Sequence, residues 1–276
     1  AYIDTGIKRH LDFVVPNNRI VYFKDFISNQ KEPYDDNGHG TFVAGVGSGN
    51  GMCSGGKFSG IAPSSNIISL KALGESGDSS AATILEAMQW VFDNHKNFNI
   101  KVVCMSFGSE PLESGDPIMK GAEKLWDKGI IVVAAAGNSG SELRTIKSPG
   151  ISPKIITVGG FDDKRDENDK YDRKKFEIAE FSSRGPALGK IKPDLIAPSV
   201  GISSCSAGEG HYVRLNGTSV ATPMIAGLCA LFLQVYPFAT PNFVKRKLLA
   251  CCSPLTFNKF FEGSGIPNAK SFFNIR

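Results

Sequence analysis

Ile130-Ile131-Val132-Val133-Ala134-Ala135 runs six residues without a polar side chain and then gives way to Ala136-Gly137-Asn138-Ser139-Gly140. An apolar run this short, β-branched through its first four residues and closed by glycine, reads as a strand buried on both faces. Three further runs share the pattern: Ile67 to Leu70, Lys101 to Met105 and Ile155 to Val158. Between them, Ala81 to Asn94 and Pro117 to Lys128 place apolar residues three and four apart, as amphipathic helices do. Strand, helix, strand in this order predicts an α/β fold with a mostly parallel central sheet and helices on both faces, because parallel strands need crossovers that cover the sheet. Val220 to Tyr236 has no polar face except at its ends, so a helix through the core is expected there. No repeat or Pro-rich linker interrupts the pattern, and residues 1–276 read as one domain.

Composition narrows the function. Hydrophobic residues at 41% and charged residues at 21% support a sizeable core. Thirty-one basic side chains against 27 acidic ones leave a dispersed +4, which excludes a dedicated nucleic-acid surface, and two tryptophans and six tyrosines leave little for base stacking. The longest strongly apolar run, Met224 to Leu233, falls short of the roughly 20 residues that cross a bilayer, so no membrane segment is expected. The cysteines at 53, 104, 205, 229, 251 and 252 form no CxxC pair. Cys104 and Cys229 read as small buried hydrophobes, and for the other four thiols and disulfides both stay open. Residues 162–175 carry six acidic and six basic side chains and are expected to be a solvated excursion.

Three short segments hold the residue types needed for nucleophilic acyl transfer: Asp4 in Ile3-Asp4-Thr5-Gly6, His39 in Gly38-His39-Gly40-Thr41, and Ser219 in Gly217-Thr218-Ser219-Val220-Ala221-Thr222-Pro223. A serine hydroxyl is a poor nucleophile at neutral pH. It needs a neutral imidazole to take its proton, and the imidazole needs a carboxylate to hold its tautomer. Such a site loses activity in acid as His39 protonates, expected near or below about 6.5. Competing patterns are poorer. The glycines of Gly45-Val46-Gly47-Ser48-Gly49-Asn50-Gly51 alternate and do not fit GxGxxG, and the four histidines make no HExxH.

The order Asp, His, Ser is that of subtilisin-type serine proteases, and the sequence resembles the subtilase family over nearly its whole length. The resemblance rests on Tyr2-Ile3-Asp4-Thr5-Gly6, Asp36-Asn37-Gly38-His39-Gly40-Thr41, Ala135-Ala136-Gly137-Asn138-Ser139-Gly140, Phe181-Ser182-Ser183-Arg184-Gly185-Pro186, Lys192-Pro193-Asp194-Leu195-Ile196-Ala197-Pro198 and the Ser219 segment. It implies a serine endopeptidase acting on polypeptides, with Asp4, His39 and Ser219 as the triad and Asn138 as oxyanion donor. It leaves room for an N-terminal pro-segment as a second partner. The alternative is a peptide-binding pseudoprotease of the same fold.

The resemblance also implies that substrate adds as a strand to Ser106-Phe107-Gly108 and to Leu73-Gly74-Glu75-Ser76-Gly77, beside Ala136 and Gly137. Lys147, before Ser148-Pro149-Gly150, would stand at the base of the main specificity pocket, where the family usually has a small residue. Two outcomes stay open there. An ammonium lacking an anion would favour acidic side chains; a lysine that snorkels outward would merely shorten the pocket with its methylenes.

Asp12 resembles a calcium ligand of secreted subtilisins, but the partner loop Gly51-Met52-Cys53-Ser54-Gly55-Gly56-Lys57 has no carboxylate. Calcium wants six to eight oxygens, so that site is expected to be absent and no metal or other cofactor to be required. The closest likeness is to intracellular, calcium-poor bacterial subtilases, which sets a cytoplasmic location ahead of a secreted or cell-surface one. With only three residues before Asp4, the chain reads as truncated or processed just ahead of it.

Overall fold

Tyr2-Ile3-Asp4 is three residues long, yet it forms an interior strand of the sheet. In the computed structural model, which describes residues 1–112, 115–165, 172–208 and 211–274, this strand, β1 (Tyr2–Asp4), pairs in parallel with β3 (Ile67–Lys71) on one side and β4 (Val102–Met105) on the other. Outward from β3 lies β2 (Ile20–Asp25). Outward from β4 come β5 (Ile131–Ala135), β6 (Ile156–Asp162) and, antiparallel at the edge, β7 (Glu177–Ile178). β8 (Leu195–Pro198) also pairs with β6, in parallel. β5 is buried at every position, as its unbroken apolar run requires. β6 runs four residues past the expected end at Val158, because Gly159 and Gly160 extend the strand where the sequence suggested a stop.

The crossovers run through helices α1 (Leu11–Val14), α2 (His39–Ser48), α3 (Ala81–Asn94) and α4 (Pro117–Asp127); α5 (Thr218–Val235) and α6 (Pro241–Ala250) follow the last strand of the sheet. α3 and α4 start where side chains cap them. Ser80 accepts the Thr83 amide at 3.0 Å, and Asp116 accepts that of Met119 at 2.8 Å ahead of Pro117. These two helices pack on each other, while α2 and α5 pack together against the sheet, so both faces are covered. A hairpin of β9 (Ile202–Cys205) and β10 (Tyr212–Leu215) closes over α2.

The glycine-rich stretch after His39 is helix through Ser48. The apolar segment at 220–236 is an 18-residue helix with mean hydropathy 1.6, long and apolar enough to suit a bilayer by composition. In the structure it lies against β4, β5, β6, β8 and α2, so its apolar surface is met by the core. Of the charged stretch 162–175, residues 166–171 lie outside the described residues; at its ends Lys164 pairs with Asp162 and Glu177, and Arg165 with Asp163.

Candidate active site

Asp4 ends β1 and is buried, and His39 opens α2 directly above it. His39 Nδ1 lies 2.7 Å from Asp4 Oδ1, which also accepts the Thr5 amide at 2.8 Å. Asp4 Oδ2 is buried without a hydrogen-bond partner among the described residues. A bare carboxylate oxygen in the interior is costly, and the Asp4 charge acts on the imidazole that Oδ1 contacts. Burial works against the imidazolium, but the Asp4 charge and hydrogen bond, with the Asp35 charge, outweigh it and hold His39 above its ordinary 6.5. This corrects the expectation of protonation near or below that value.

The loop that delivers His39 is tied down by groups the sequence reading missed. Asp35 accepts from Thr5 Oγ1, the amides of Gly38 and Thr41, and Thr41 Oγ1. Lys71, fully buried at the end of β3, donates to Thr5 O and Asp36 Oδ1 at 2.6 Å each and to Leu73 O at 3.1 Å. It links the Asp4 turn, the histidine loop and the Leu73 segment. A lysine closing the apolar run Ile67-Ile68-Ser69-Leu70 was the available signal.

Ser219 occupies the first turn of α5, whose N-cap, Gly217, provides no side-chain cap. Of the first amides, Thr218 N–H donates to Asn138 Oδ1 at 2.9 Å and Val220 N–H to Gly217 O at 3.0 Å, which leaves the Ser219 N–H without a partner among the described residues. Because a backbone N–H can only donate, it fixes the Asn138 amide: Oδ1 faces α5, and Nδ2 is turned the other way as a free donor. Gly217, at φ +147°, makes room. A Cβ there would stand 3.0 Å from Ser219 Oγ, 3.2 Å from Asn138 Nδ2 and 3.7 Å from the Ser219 nitrogen. A hydroxyl and two donors thus converge on one small space.

His39, Asn138 and Ser219 line a cleft of about 540 Å³ together with Leu73, Gly77, Ser106, Phe107, Gly108, Gly137 and Lys147. No direct hydrogen bond joins His39 to Ser219. Gly74 and Ala136 are not on the cleft wall: Gly74 holds a turn through Asp78 and Gly77, and Ala136 is fully buried, exchanging backbone bonds with Val158 and Lys147. Phe107 and Gly108 have no backbone bonds to another segment among the described residues. The Lys147 methylenes pass between Gly108 and Gly137, and its ammonium pairs with exposed Glu110. An ammonium without an anion, the basis for an acidic preference, is therefore not what the pocket holds.

Asp12 begins α1 and is fully buried. Its carboxylate accepts the amides of Gly51 and Cys53 at 3.1 and 3.0 Å, the Tyr212 hydroxyl at 2.9 Å and the Cys205 thiol at 3.6 Å. Four donors occupy the oxygens a calcium ion would need. With no second carboxylate in the 51–57 loop, this donor set does not fit calcium. All six cysteines are free thiols.

An α/β protein with a mostly parallel sheet, a histidine paired with a buried aspartate and a serine at a helix start matches the subtilase family model over residues 1–264. The serine protease AprX of Bacillus subtilis is 40% identical across 90% of this chain and 59% of its own length. Subtilisin DY of Bacillus licheniformis is 33% identical across 98% of this chain and 88% of its own length. Among solved structures, Sphericase matches with a TM-score of 0.81 at 26% identity, covering 96% of this chain and 89% of that one. The chain belongs to the subtilase family. It spans about three-fifths of the length of AprX.

Proposed function

We propose that this chain is a serine endopeptidase that cuts polypeptides through an acyl-enzyme. The observation that carries the reading is the convergence at Gly217 of Ser219 Oγ, Asn138 Nδ2 and the free Ser219 amide, in one cleft with an Asp4-paired His39. Ser219 Oγ attacks the scissile carbonyl carbon as its proton passes to His39, and Asp4 stabilises the imidazolium. The carbonyl oxygen, now anionic, moves into the space above Gly217 and accepts from Asn138 Nδ2 and Ser219 N–H. Such donors act strongly because they are oriented before charge develops. His39 then returns its proton to the leaving amine, and water, deprotonated by the same imidazole, releases the acyl group.

Substrate backbone would add as a strand to Phe107-Gly108, whose polar groups are open, and to the Leu73–Gly77 segment opposite; main-chain pairing of this kind accepts many sequences. With the Lys147 ammonium on Glu110, the methylenes shorten the specificity pocket, and the preference expected is for medium-sized apolar or polar side chains. A pseudoprotease would leave the same cleft inert. Ser219→Ala separates the readings: it should remain folded while turnover falls by about 10⁶, a magnitude measured on subtilisin itself. Undiminished proteolysis by the purified variant would refute the assignment.

A further inference from the structure

Beside Asp12, His10, Cys53 and His211 bring two imidazoles and a thiol together, their ligand atoms all within 4.8 Å of one another. They arrive from three separate segments: His10 caps α1, Cys53 lies in a 3-10 turn, Met52–Ser54, and His211 leads into β10. His10 is buried, Cys53 half-buried and His211 exposed, so the group opens to solvent at one end. We propose that His10, Cys53 and His211 form a binding site for a borderline-soft divalent cation of the zinc type, at the place where the oxygen set does not suit calcium.

The donor chemistry selects the ion. Imidazole and thiolate suit zinc, whereas calcium is held by oxygens alone. With zinc–sulfur near 2.3 Å and zinc–nitrogen near 2.0–2.1 Å, tetrahedral ligand atoms stand about 3.4–3.6 Å apart. Any contraction needed from separations within 4.8 Å can be supplied by exposed His211 and the glycine-flanked turn of Cys53.

His10 is also placed to serve. Its Nδ1 accepts the Asp12 amide at 3.1 Å, so the ring proton is on Nε2, which donates to His211 O at 2.8 Å. When zinc takes the Nε2 lone pair, the bond to His211 O is given up and the ring proton moves to Nδ1, which must turn from the Asp12 amide to Asp12 Oδ1, 3.6 Å away and accepting the Cys53 amide. Cys53 releases its thiol proton to solvent. A carboxylate behind a ligating histidine is the usual outer support of a zinc site. The fourth position is left to water. Cys205, fully buried, directs its thiol to Asp12 and stays outside the set.

The test uses the full chain carrying Ser219→Ala, which prevents self-digestion, with zinc ion alone as ligand in calorimetric titration and cobalt(II) as spectroscopic probe. One zinc per chain should bind, excess calcium should not displace it, and bound cobalt should show a thiolate charge-transfer band. Adding Cys53→Ser or His211→Ala, both at accessible positions, should weaken that zinc by more than the roughly 10–100-fold that loss of a supporting residue costs. Cys53→Ser should also abolish the cobalt band, and zinc should raise Tm only where the set is intact. No bound zinc, or a zinc whose affinity survives either substitution, overturns the proposal.

Discussion

Among the described residues two Asp–His pairs lie in this molecule, and they are built in opposite ways. In the cleft, His39 faces Asp4 directly at 2.7 Å, and one oxygen of that carboxylate has no partner among the described residues. Beside α1, His10 stands 3.6 Å from Asp12, its near nitrogen is occupied by a backbone N–H, and the Asp12 carboxylate accepts four donors. The charge consequences diverge. His39 is held above its ordinary pKa, whereas burial takes His10 below it despite the nearby Asp12. Proximity of carboxylate and imidazole does not make a proton-transfer pair; what matters is which groups are left unengaged. Asp4 Oδ2, Asn138 Nδ2 and the Ser219 amide are left without partners among the described residues, while the carboxylate at Asp12 accepts four donors, three of them on Oδ2.

Removing a group should therefore cost reactivity in the first region and stability in the second. Asn138→Ala, which deletes the free oxyanion donor, should lower kcat by about 10²–10³, equivalent to about 2.7–4 kcal/mol, a range established on subtilisin. KM should change little, since Nδ2 has no partner in the resting cleft, while loss of the Oδ1 acceptor of the Thr218 amide and hydroxyl should lower Tm modestly; a large KM effect at unchanged kcat would break the contrast. Asp12→Asn turns acceptor capacity into donors facing donors. It should lower unfolding stability by about 1–3 kcal/mol, read by denaturant titration on a Ser219→Ala background, while the same change in active enzyme leaves kcat/KM per folded molecule intact. The smallest effect belongs to Lys147→Ala. Glu110 is 83% exposed, and exposed pairs contribute about 0–1 kcal/mol. The glutamate-to-leucine ratio of kcat/KM, in peptides varied only before the cut bond, should shift by less than about fivefold. A larger shift would restore an electrostatic pocket.

Much of this was legible in the sequence, for reasons particular residues supply. Ala81 to Asn94 is helix with the expected bounds because its apolar spacing and Ser80 cap agree. The apolar run ending at Ala135 is a strand buried at every position over Ile131–Ala135, because its β-branched residues and closing glycine favour strand over helix. α2 was not legible. Its glycines look like loop, yet a Cβ at Gly45 would collide with Ser204, and one at Gly47 with the Tyr2 hydroxyl. They are there so that a buried helix can approach β1 and β9 closely, and no local pattern shows that. Chain separation hid the rest. Asp12 meets Tyr212 across 200 residues, and the pairing of Lys147 with Glu110 depends on side-chain direction, which sequence spacing does not give.

The Asp4–His39 pair also couples stability and reactivity to pH in opposite senses. Because its folded pKa is raised, the pair's stabilising contribution is fully present below the unfolded value of about 6.5 and is lost as pH rises through the folded one. Nucleophilic activity appears over that same upper interval, as His39 becomes neutral. The most direct measurement of the central claim is the rate of covalent labelling by a fluorophosphonate as a function of pH, with the modified residue located by peptide mass spectrometry. One adduct per chain on Ser219, forming at a rate that rises through a midpoint above 6.5 and collapsing in His39→Ala, is the predicted result. No adduct, an adduct on another residue, or a rate indifferent to His39 would contradict it.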